Sequence, residues 1–281
     1  MVIQNPSRTE APCDEYWLFG YGSLIWKPPP HFDRRIPGYV TGYVRRFWQV
    51  CKHTPFQDHR GTPEAPGRVV TLIERSYWEQ LTDHHDSAPE KVWGVAYRIV
   101  PDRVDEVKEY LDIREINGYT IHYTPFHPVP GLDLVDPALM PHLLAGPILT
   151  LVYIGTPDND QFVGPQDPQA LAEHIYRSEG PSGLNRDYLW ELEKALDQLS
   201  AESGDEHVTD LSSRVRVVAA RDEEQKRKQQ ESSTSQTDNN IMRAYPLVNV
   251  SPEDKLQQHH HHHDFRQAGS IDEQEETEKT S

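Results

Sequence analysis

Segments in which apolar and polar residues alternate dominate the first half of the chain, and they constrain its fold most strongly. Alternation combined with many β-branched and aromatic residues is typical of strands that bury one face. Such segments occupy residues 38–50, 68–74, 91–100, 119–126 and 148–155, and a short apolar run at 16–19 precedes them. The pattern therefore predicts roughly six strands.

Helical periodicity replaces the alternation in the second half of the chain. One helix is predicted among the strands, at 101–115, and three follow at 167–180, 185–200 and 205–220. Asp167 is the expected N-cap of the first of these three, and Asn185 that of the second. Strands followed by helices, without regular βαβ alternation, predict an α+β fold with a mixed or barrel-like sheet and flanking helices.

Composition divides the chain into three parts. Residues 1–14 are predicted to form a flexible N-terminus, 15–220 one domain, and 221–281 a disordered, acidic, low-complexity tail, because the tail has few apolar residues to bury. Residues 259–263 are consecutive histidines, which we interpret as part of that tract and not as a metal site. The stretches at 75–90 and 128–147 are predicted to be surface insertions between strands.

Charge and cysteine content exclude several classes of protein. The chain has 45 acidic and 28 basic residues and a net charge of -17, which argues against binding to nucleic acid or to an anionic membrane. It has two cysteines, without the Cys/His spacing of a zinc site, and this usage fits a reducing compartment. The N-terminus lacks the apolar core of a signal peptide, and no apolar run is long enough to span a bilayer. We therefore predict a cytoplasmic protein, with no metal and no particular protein partner indicated.

The stretch "FGYGSL" at 19–24 places two glycines and a serine where the first strand ends. It is not a dinucleotide fingerprint, because Ile25 takes the place of the third glycine and a proline run follows. It also lacks the Gly-x-Ser-x-Gly of a nucleophile elbow and the Gly-Lys-Ser/Thr of a P-loop. Gly-x-Gly-Ser instead presents backbone N–H groups to a carboxylate or a developing oxyanion, or else forms a plain β-bulge.

Glu115 is the second position of interest. It lies at the end of a predicted helix, just before the stop signal at 117–118, with apolar Ile113, Ile116 and Tyr119 nearby in the sequence. A partly desolvated carboxylate has a raised pKa and can act as a proton shuttle. The alternatives are an ion pair with Arg114 and a solvated acid at a helix end.

Several collinear motifs resemble the ChaC-type γ-glutamylcyclotransferases. They are "FGYGSLIW", "GYVTGYVRRFWQ", "DHRGTPEAPGRVVTL", "VWGVAYRI", "YLDIREINGY", "YIGTPDNDQFVGP" and "SEGPSGLNRDYLWEL", and the resemblance runs from about Tyr16 to about Gln198. It implies a small, mixed α+β, barrel-like γ-glutamylcyclotransferase fold. It also implies a cofactor-free activity, the cleavage of glutathione to 5-oxoproline and cysteinylglycine.

The resemblance also implies the site residues. Glu115 matches the catalytic carboxylate of the family, and Tyr188 matches a residue near the substrate. The glycine-rich segment that binds the γ-glutamyl group corresponds to Phe19, Gly20, Tyr21, Gly22, Ser23 and Leu24.

Other interpretations stay open at this point. The substrate is either glutathione or another γ-glutamyl amino acid or amine, and a non-catalytic scaffold that uses the acidic tail is a third hypothesis. Arg45, Arg46 and Arg68 either meet substrate carboxylates or form structural ion pairs. A Cys51/His53 catalytic pair is weakly indicated, and "TDHHD" at 82–86 is interpreted as a polar loop in preference to a metal site.

Overall fold

The computed structural model describes residues 15–50, 60–115, 119–129 and 146–244, with side chains described throughout except at 112–115 and 233–244. The strands are β1 (Trp17–Gly20), β2 (Phe32–Thr41), β3 (Tyr43–Val50), β4 (Arg68–Glu74), β5 (Lys91–Ile99), β6 (Tyr119–Pro128), β7 (Ile148–Gly155), β8 (Glu179–Gly180) and β9 (Gly183–Leu184). The helices are α1 (Arg75–Trp78), α2 (Val104–Glu115), α3 (Pro168–Arg177), α4 (Asn185–Asp197) and α5 (Glu206–Ala244), with short 3₁₀ turns at Ser23–Ile25 and Pro101–Arg103.

A closed barrel forms the centre of the fold. Its strand order is β1-β5-β2-β6-β7, and β7 closes onto β1 in parallel, with Leu18 opposite Leu151. The other barrel pairs are antiparallel. Because the barrel is closed, each of its strands has a partner strand on both sides. The predicted α+β fold with a barrel-like sheet and flanking helices is confirmed.

The core extends from the barrel to the helices. Trp17, Leu18 and Phe19 of β1 are at most 3 % exposed and belong to one apolar cluster with the stripes of α2, α4 and α5. Those stripes comprise Val107, Leu111, Leu189, Leu192, Leu196, Val208, Leu211 and Val215. The glycine turn that follows β1 is therefore anchored at the centre of the molecule.

The segment at 38–50 forms two strands, where the sequence predicted one. Gly42 separates β2 from β3 with a φ of +83°, a left-handed conformation that favours glycine. β2 stays in the barrel beside β5, whereas β3 leaves it and pairs with β4 in a second, two-stranded sheet. Alternation continues across Gly42, so periodicity alone does not reveal the break.

Asn185 does not cap its helix as predicted. The N-cap of α4 is Leu184, and no side chain caps this end. Asn185 is instead fully buried; its Oδ1 accepts from the backbone N–H of Arg68, and its Nδ2 donates to the Arg68 carbonyl, both at 2.8 Å. The other predicted cap is present, since Asp167 Oδ1 accepts from the Ala170 N–H at 2.8 Å.

The stretch at 75–90 joins β4 to β5 and is mostly exposed, as predicted for a surface insertion, but part of it also packs against the second sheet. Trp78 is buried and packs with Val44, Trp48 and Ile73 in a second apolar cluster. Asp83 accepts hydrogen bonds from Trp78 Nε1 at 2.8 Å and from Arg46 Nε at 2.6 Å. The segment thus closes the outer face of the β3–β4 sheet. Most of the other predicted insertion, at 130–145, lies outside the described residues.

Helix α5 continues to Ala244, past residue 220, where we predicted that disorder begins. Residues 221–231 are all Glu, Gln, Lys or Arg apart from Asp222, and these types have high helix propensity. An i,i+4 pair joins Lys226 to Asp222 at 2.7 Å. A helix already nucleated by packed turns extends at little cost. The chain forms two compact units, 1–227 and 228–281. Residues 245–281, including the histidine tract, lie outside the described residues.

Helices in the described ranges lack the combination of length and apolar character that a membrane span requires.

Candidate active site

The turn after β1 forms one wall of a pocket. The pocket has about 420 Å³ of empty space including its open mouth, within the range of small-molecule sites. Its lining comprises Phe19, Gly20, Tyr21, Gly22, Ser23, Leu24, Val70, Tyr119, Tyr153 and Tyr188. The structure thus brings the whole predicted glycine segment and Tyr188 together, although their roles toward a substrate stay predictions. Sequence reasoning did not single out Val70, Tyr119 or Tyr153 as site residues.

The glycine turn is held in place by its own backbone and by the barrel. Ile25 donates to the Gly22 carbonyl at 3.0 Å, and Lys27 donates to the Ser23 carbonyl at 2.8 Å. The Tyr97 hydroxyl of β5 donates to the Leu24 carbonyl at 2.7 Å. These bonds fix a single 3₁₀ turn before the proline run, so its backbone lies in a defined position along the pocket wall.

Both glycines occupy positions where a side chain would collide with the site. A Cβ on Gly20 would lie 2.6 Å from the Leu24 Cβ. A Cβ on Gly22 would lie 3.0 Å from Val70 Cγ2 and 3.1 Å from the Tyr188 hydroxyl oxygen. The Gly22 backbone itself is therefore the pocket wall. This close approach explains why glycine interrupts an otherwise apolar strand and turn.

Aromatic side chains fix the opposite wall. The Tyr188 ring packs edge-on against Trp26 and Phe47, with ring centroids 5.5 and 5.9 Å away. The Tyr21 hydroxyl donates to the Tyr153 carbonyl at 2.7 Å. Tyr188 lies one helical turn after Asn185, so the bonds between Asn185 and the Arg68 backbone hold this part of α4 against β4.

The first turn of α5 supports the Phe47 side of this wall. The β3–β4 register shifts between Arg46 and Gln49, and the Phe47 N–H in this bulge donates to His207 Nε2 at 3.1 Å. His207 Nδ1 therefore carries the proton toward His85 Nδ1, 3.1 Å away, and His85 Nε2 donates to Asp210 at 2.8 Å. Burial, and then the neighbouring Arg46, hold the pKa of His207 well below its ordinary value, so this imidazole is neutral.

The described residues of the pocket lining carry no formally charged side chain. Its polar groups are tyrosine and serine hydroxyls and backbone amides. The N–H groups of Gly22 and Leu24 have no acceptor among the described residues. Charge that develops on a bound molecule is poorly screened between such walls and interacts strongly with backbone dipoles.

Glu115 is the last residue of α2, as expected for a helix that stops before 117–118. It lies four residues before the pocket residue Tyr119, which is at most about 14 Å of extended chain. Its side chain lies outside the described residues, so the catalytic role of this carboxylate stays a prediction.

Two of the three candidate arginines form structural ion pairs. Arg45 pairs with Asp205 at 3.3 Å and also donates to the Trp93 carbonyl. Arg46 pairs with Asp83 at 2.6 Å, and both arginines are buried. Arg68 has no acidic partner within the described parts of the chain, and burial lowers the pKa of its guanidinium.

The remaining candidates divide between the described and undescribed parts of the chain. Asp83 of the 82–86 loop binds Arg46, and His85 binds Asp210 and His207. Cys51 and His53 lie outside the described residues.

Known proteins are similar to this chain in sequence and in fold. The family described as ChaC-like protein matches residues 16–218. The glutathione-specific γ-glutamylcyclotransferase of Schizosaccharomyces pombe is 43% identical over 212 residues, which cover 74% of this chain and 96% of that protein. The protein of the same name from Saccharomyces cerevisiae is 41% identical over 215 residues, covering 69% and 90%.

Solved structures agree with these matches. A crystal structure of the yeast γ-glutamyl cyclotransferase specific to glutathione superposes with a TM-score of 0.65 at 39% identity, covering 72% of this chain and 96% of that one. The match of the family model over most of the chain and the identity to full-length relatives lead to one assignment: this chain belongs to the ChaC-like family.

Proposed function

We propose that this chain is a glutathione-specific γ-glutamylcyclotransferase, which cleaves glutathione into 5-oxoproline and cysteinylglycine. Two relatives carry this activity in their names, and they are matched over at least 90% of their length. The observation that carries the proposal is the Gly22 wall of the pocket. There, a Cβ on Gly22 would lie 3.1 Å from the Tyr188 hydroxyl oxygen, and the described lining residues carry no charged side chain.

The reaction needs no nucleophile from the protein. The α-amine of the γ-glutamyl group attacks its own γ-carbonyl carbon and forms a five-membered lactam. The bond from that carbon to the cysteinyl nitrogen then breaks, and cysteinylglycine leaves with its nitrogen protonated. The pocket favours this step by holding the γ-glutamyl chain in its folded, cyclising conformer, because proximity of this kind lowers a barrier by several kcal/mol.

One carboxylate can act first as base and then as acid in this reaction. The α-amine is largely protonated at neutral pH, so a base must remove a proton before attack, and an acid must return one to the leaving nitrogen; the second proton that the lactam nitrogen loses goes to water, and the released amine takes one up from water. We assign both steps to Glu115, whose backbone lies at the end of α2, close along the chain to Tyr119 of the pocket. General acid–base catalysis of this kind contributes about 10²- to 10⁴-fold.

The tetrahedral intermediate carries a negative oxygen, which requires hydrogen-bond donors. We assign this role to the Gly22 and Leu24 N–H groups, which line the pocket and lack protein acceptors among the described residues. Loss of one such donor costs about 3 kcal/mol of transition-state stabilisation. The Tyr97 bond to the Leu24 carbonyl keeps these amides in place.

We further propose that the protein acts in the cytoplasm, which its sparse cysteine usage supports. The alternative substrates are other γ-glutamyl amino acids and amines. A substrate panel distinguishes them: faster turnover of γ-glutamyl-alanine than of glutathione would favour the alternative.

The assignment of Glu115 is tested with a matched pair of variants. Glu115→Gln removes the base without changing side-chain size, and Glu109→Gln makes the same change at an exposed position of the same helix. We expect Glu109→Gln to form 5-oxoproline at the wild-type rate and Glu115→Gln to be at least about 100-fold slower, with unchanged circular dichroism. Near-normal turnover by Glu115→Gln would remove the proposed base.

A further inference from the structure

Two arginines near the pocket, Arg60 and Arg68, have no acidic partner among the residues that the structure describes, in a chain where acidic residues outnumber basic ones by 45 to 28. Arg45, Arg46 and Arg98 each pair with a carboxylate. Arg60 and Arg68, by contrast, form no ion pair within the described residues; Arg60 is buried and Arg68 is half-buried. Cations that are withdrawn from water without a counter-ion are costly to maintain, which points to an anion that is supplied from outside.

The Arg68 guanidinium contacts only neutral acceptors. Its Nη1 donates to the carbonyls of Pro66 at 2.9 Å and Gly67 at 3.4 Å and lies 3.2 Å from His174 Nε2, while its Nε donates to Gln166 Oε1 at 3.4 Å. Nη2 has no acceptor among the described residues and is not a buried atom. The side chain is therefore held from one side, with one nitrogen left for a ligand.

Arg60 is a second arginine without an acidic partner among the described residues, and its backbone lies beside Gly67, the residue before Arg68. It is 8% exposed; its Nη1 donates to the Leu184 carbonyl at 3.1 Å, and its Nε has no partner. Its backbone packs against Gly67, where a Cβ would lie 2.2 Å from the Arg60 carbonyl oxygen. Asn185 forms two hydrogen bonds with the Arg68 backbone, and Arg60 donates to the Leu184 carbonyl. Both arginines are therefore anchored to the residues at which α4 begins.

Arg68 is close to the pocket. It lies two residues before Val70 on β4, so the two side chains leave the same face of the strand about 7 Å apart. Val70 lines the pocket, and the Asn185 that holds Arg68 lies one helical turn before Tyr188. A ligand that extends from the pocket along β4 toward Arg68 therefore reaches the guanidinium within about 7 Å of Val70.

The substrate under the proposed function has a matching charge at a matching distance. Beyond the γ-carbonyl, glutathione continues through cysteine and glycine, two residues that span about 7 Å when extended, and it ends in a carboxylate. None of the described lining residues is a cation that could pair with that carboxylate. We propose that Arg68, with Arg60 as a second positive charge, binds the glycine carboxylate of glutathione; this inference rests on the proposed function.

Such a site makes Arg68 a specificity-determining residue. A guanidinium binds a carboxylate through directional, charge-assisted hydrogen bonds. A γ-glutamyl compound without this terminal carboxylate leaves the two arginines uncompensated. We expect removal of the substrate charge to lower kcat/KM by about 10- to 100-fold.

The test compares glutathione with its C-terminal amide, which has the same shape but lacks the negative charge. Wild-type protein should favour glutathione by about 10- to 100-fold in kcat/KM. Arg68→Gln should lose this preference by losing activity on glutathione, with its activity on the amide unchanged. The matched control is Arg75→Gln, since Arg75 also donates to backbone carbonyls but lies on α1 away from the pocket lining. Equal use of both substrates by the wild-type protein overturns the inference without any variant.

Titration calorimetry with the same two compounds separates this inference from the proposed function. If glutathione binds through Arg68 but yields no 5-oxoproline, the proposed function fails and the carboxylate site stands. If both compounds are cyclised equally well, the function stands and the inference fails; absence of both binding and turnover overturns both. Circular dichroism verifies folding of Arg68→Gln, and Arg68→Lys, which keeps the charge, should retain part of the preference.

Discussion

At the residue scale, the account depends on the space that Gly22 leaves empty. A methyl group there would touch Val70 and the Tyr188 hydroxyl, which form the opposite side of the pocket. Neither contact has a flexible group that can move far, because both residues are buried or packed in the core. The same turn supplies the backbone donors to which we assign oxyanion binding.

Gly22→Ala should therefore lower kcat/KM for glutathione at least about 10-fold, because the methyl occupies the γ-glutamyl site and shifts the adjacent donor. Steady-state kinetics of the purified variant check this expectation. Gly204→Ala is the matched control, since a Cβ there meets nothing within 4 Å. Unchanged kinetics for Gly22→Ala would contradict the assignment of this turn as the pocket wall.

The sequence allowed prediction of the residues on this turn and of Tyr188, but not of their partners. Gly-x-Gly-Ser is a local signal, and a motif match suffices to single it out. Val70, Tyr119 and Tyr153 belong to three different strands, where alternation shows that a face is buried without showing which strands meet. The absence of an acid beside Arg68 is likewise invisible in sequence, because Asp83 and Asp205 reach Arg46 and Arg45 from distant segments.

At the scale of secondary-structure elements, Asn185 ties α4 to β4. Asn185→Ala removes both hydrogen bonds to the Arg68 backbone and leaves a buried donor and acceptor unpaired. We expect a loss of about 2–3 kcal/mol in the free energy of unfolding, measured by urea denaturation. Asp167→Ala, which removes an exposed helix cap, should cost only about 1 kcal/mol. Equal effects of the two substitutions would show that Asn185 has no special role in joining these elements.

The junction between β3 and α5 predicts a dependence of stability on pH. His207 is neutral in the folded protein because burial lowers its pKa, whereas in the unfolded chain it binds a proton near pH 6.5. The unfolded state therefore binds more protons as pH falls below about 6.5, and stability falls by up to about 1.4 kcal/mol per pH unit down to the folded-state pKa. Above about pH 6.5, neither state binds this proton, so His207 does not change stability with pH.

His207→Gln should flatten this slope, because glutamine can accept from the Phe47 N–H but does not titrate. Urea denaturation at a series of pH values from 7.5 to about 5 measures the slope. Some slope should remain, since burial also lowers the pKa of His174. An identical slope in the variant and the wild type would contradict the account of His207.

Local sequence patterns predicted most of the strands and helices. They did not predict where the chain turns or where a strand pairs with a different sheet. The strands at 68–74 and 148–155 have the predicted bounds. Gly42 turns the chain within an uninterrupted alternating run, and only its positive φ shows why. Helix α5 continues beyond its apolar stripe, because packed residues such as Leu211 and Val215 nucleate it. This effect depends on tertiary contacts, which the local sequence does not show.

At the scale of the whole molecule, the pocket belongs entirely to one of the two compact units. All lining residues lie within 1–227, and the second unit comprises 228–281. A chain that ends at Arg227 should keep kcat/KM for glutathione within about twofold of the full-length value. A loss of all measurable activity on this truncation would favour the hypothesis of a scaffold protein that depends on the acidic tail.

The central claim is that the chain cyclises the γ-glutamyl group and does not hydrolyse its amide bond. The most direct measurement is an incubation with glutathione in water labelled with heavy oxygen, followed by mass spectrometry of the products. Cyclisation predicts 5-oxoproline and cysteinylglycine in equal amounts, with no label in either, because water takes no part. Glutamate carrying one labelled oxygen, in place of 5-oxoproline, would contradict the account.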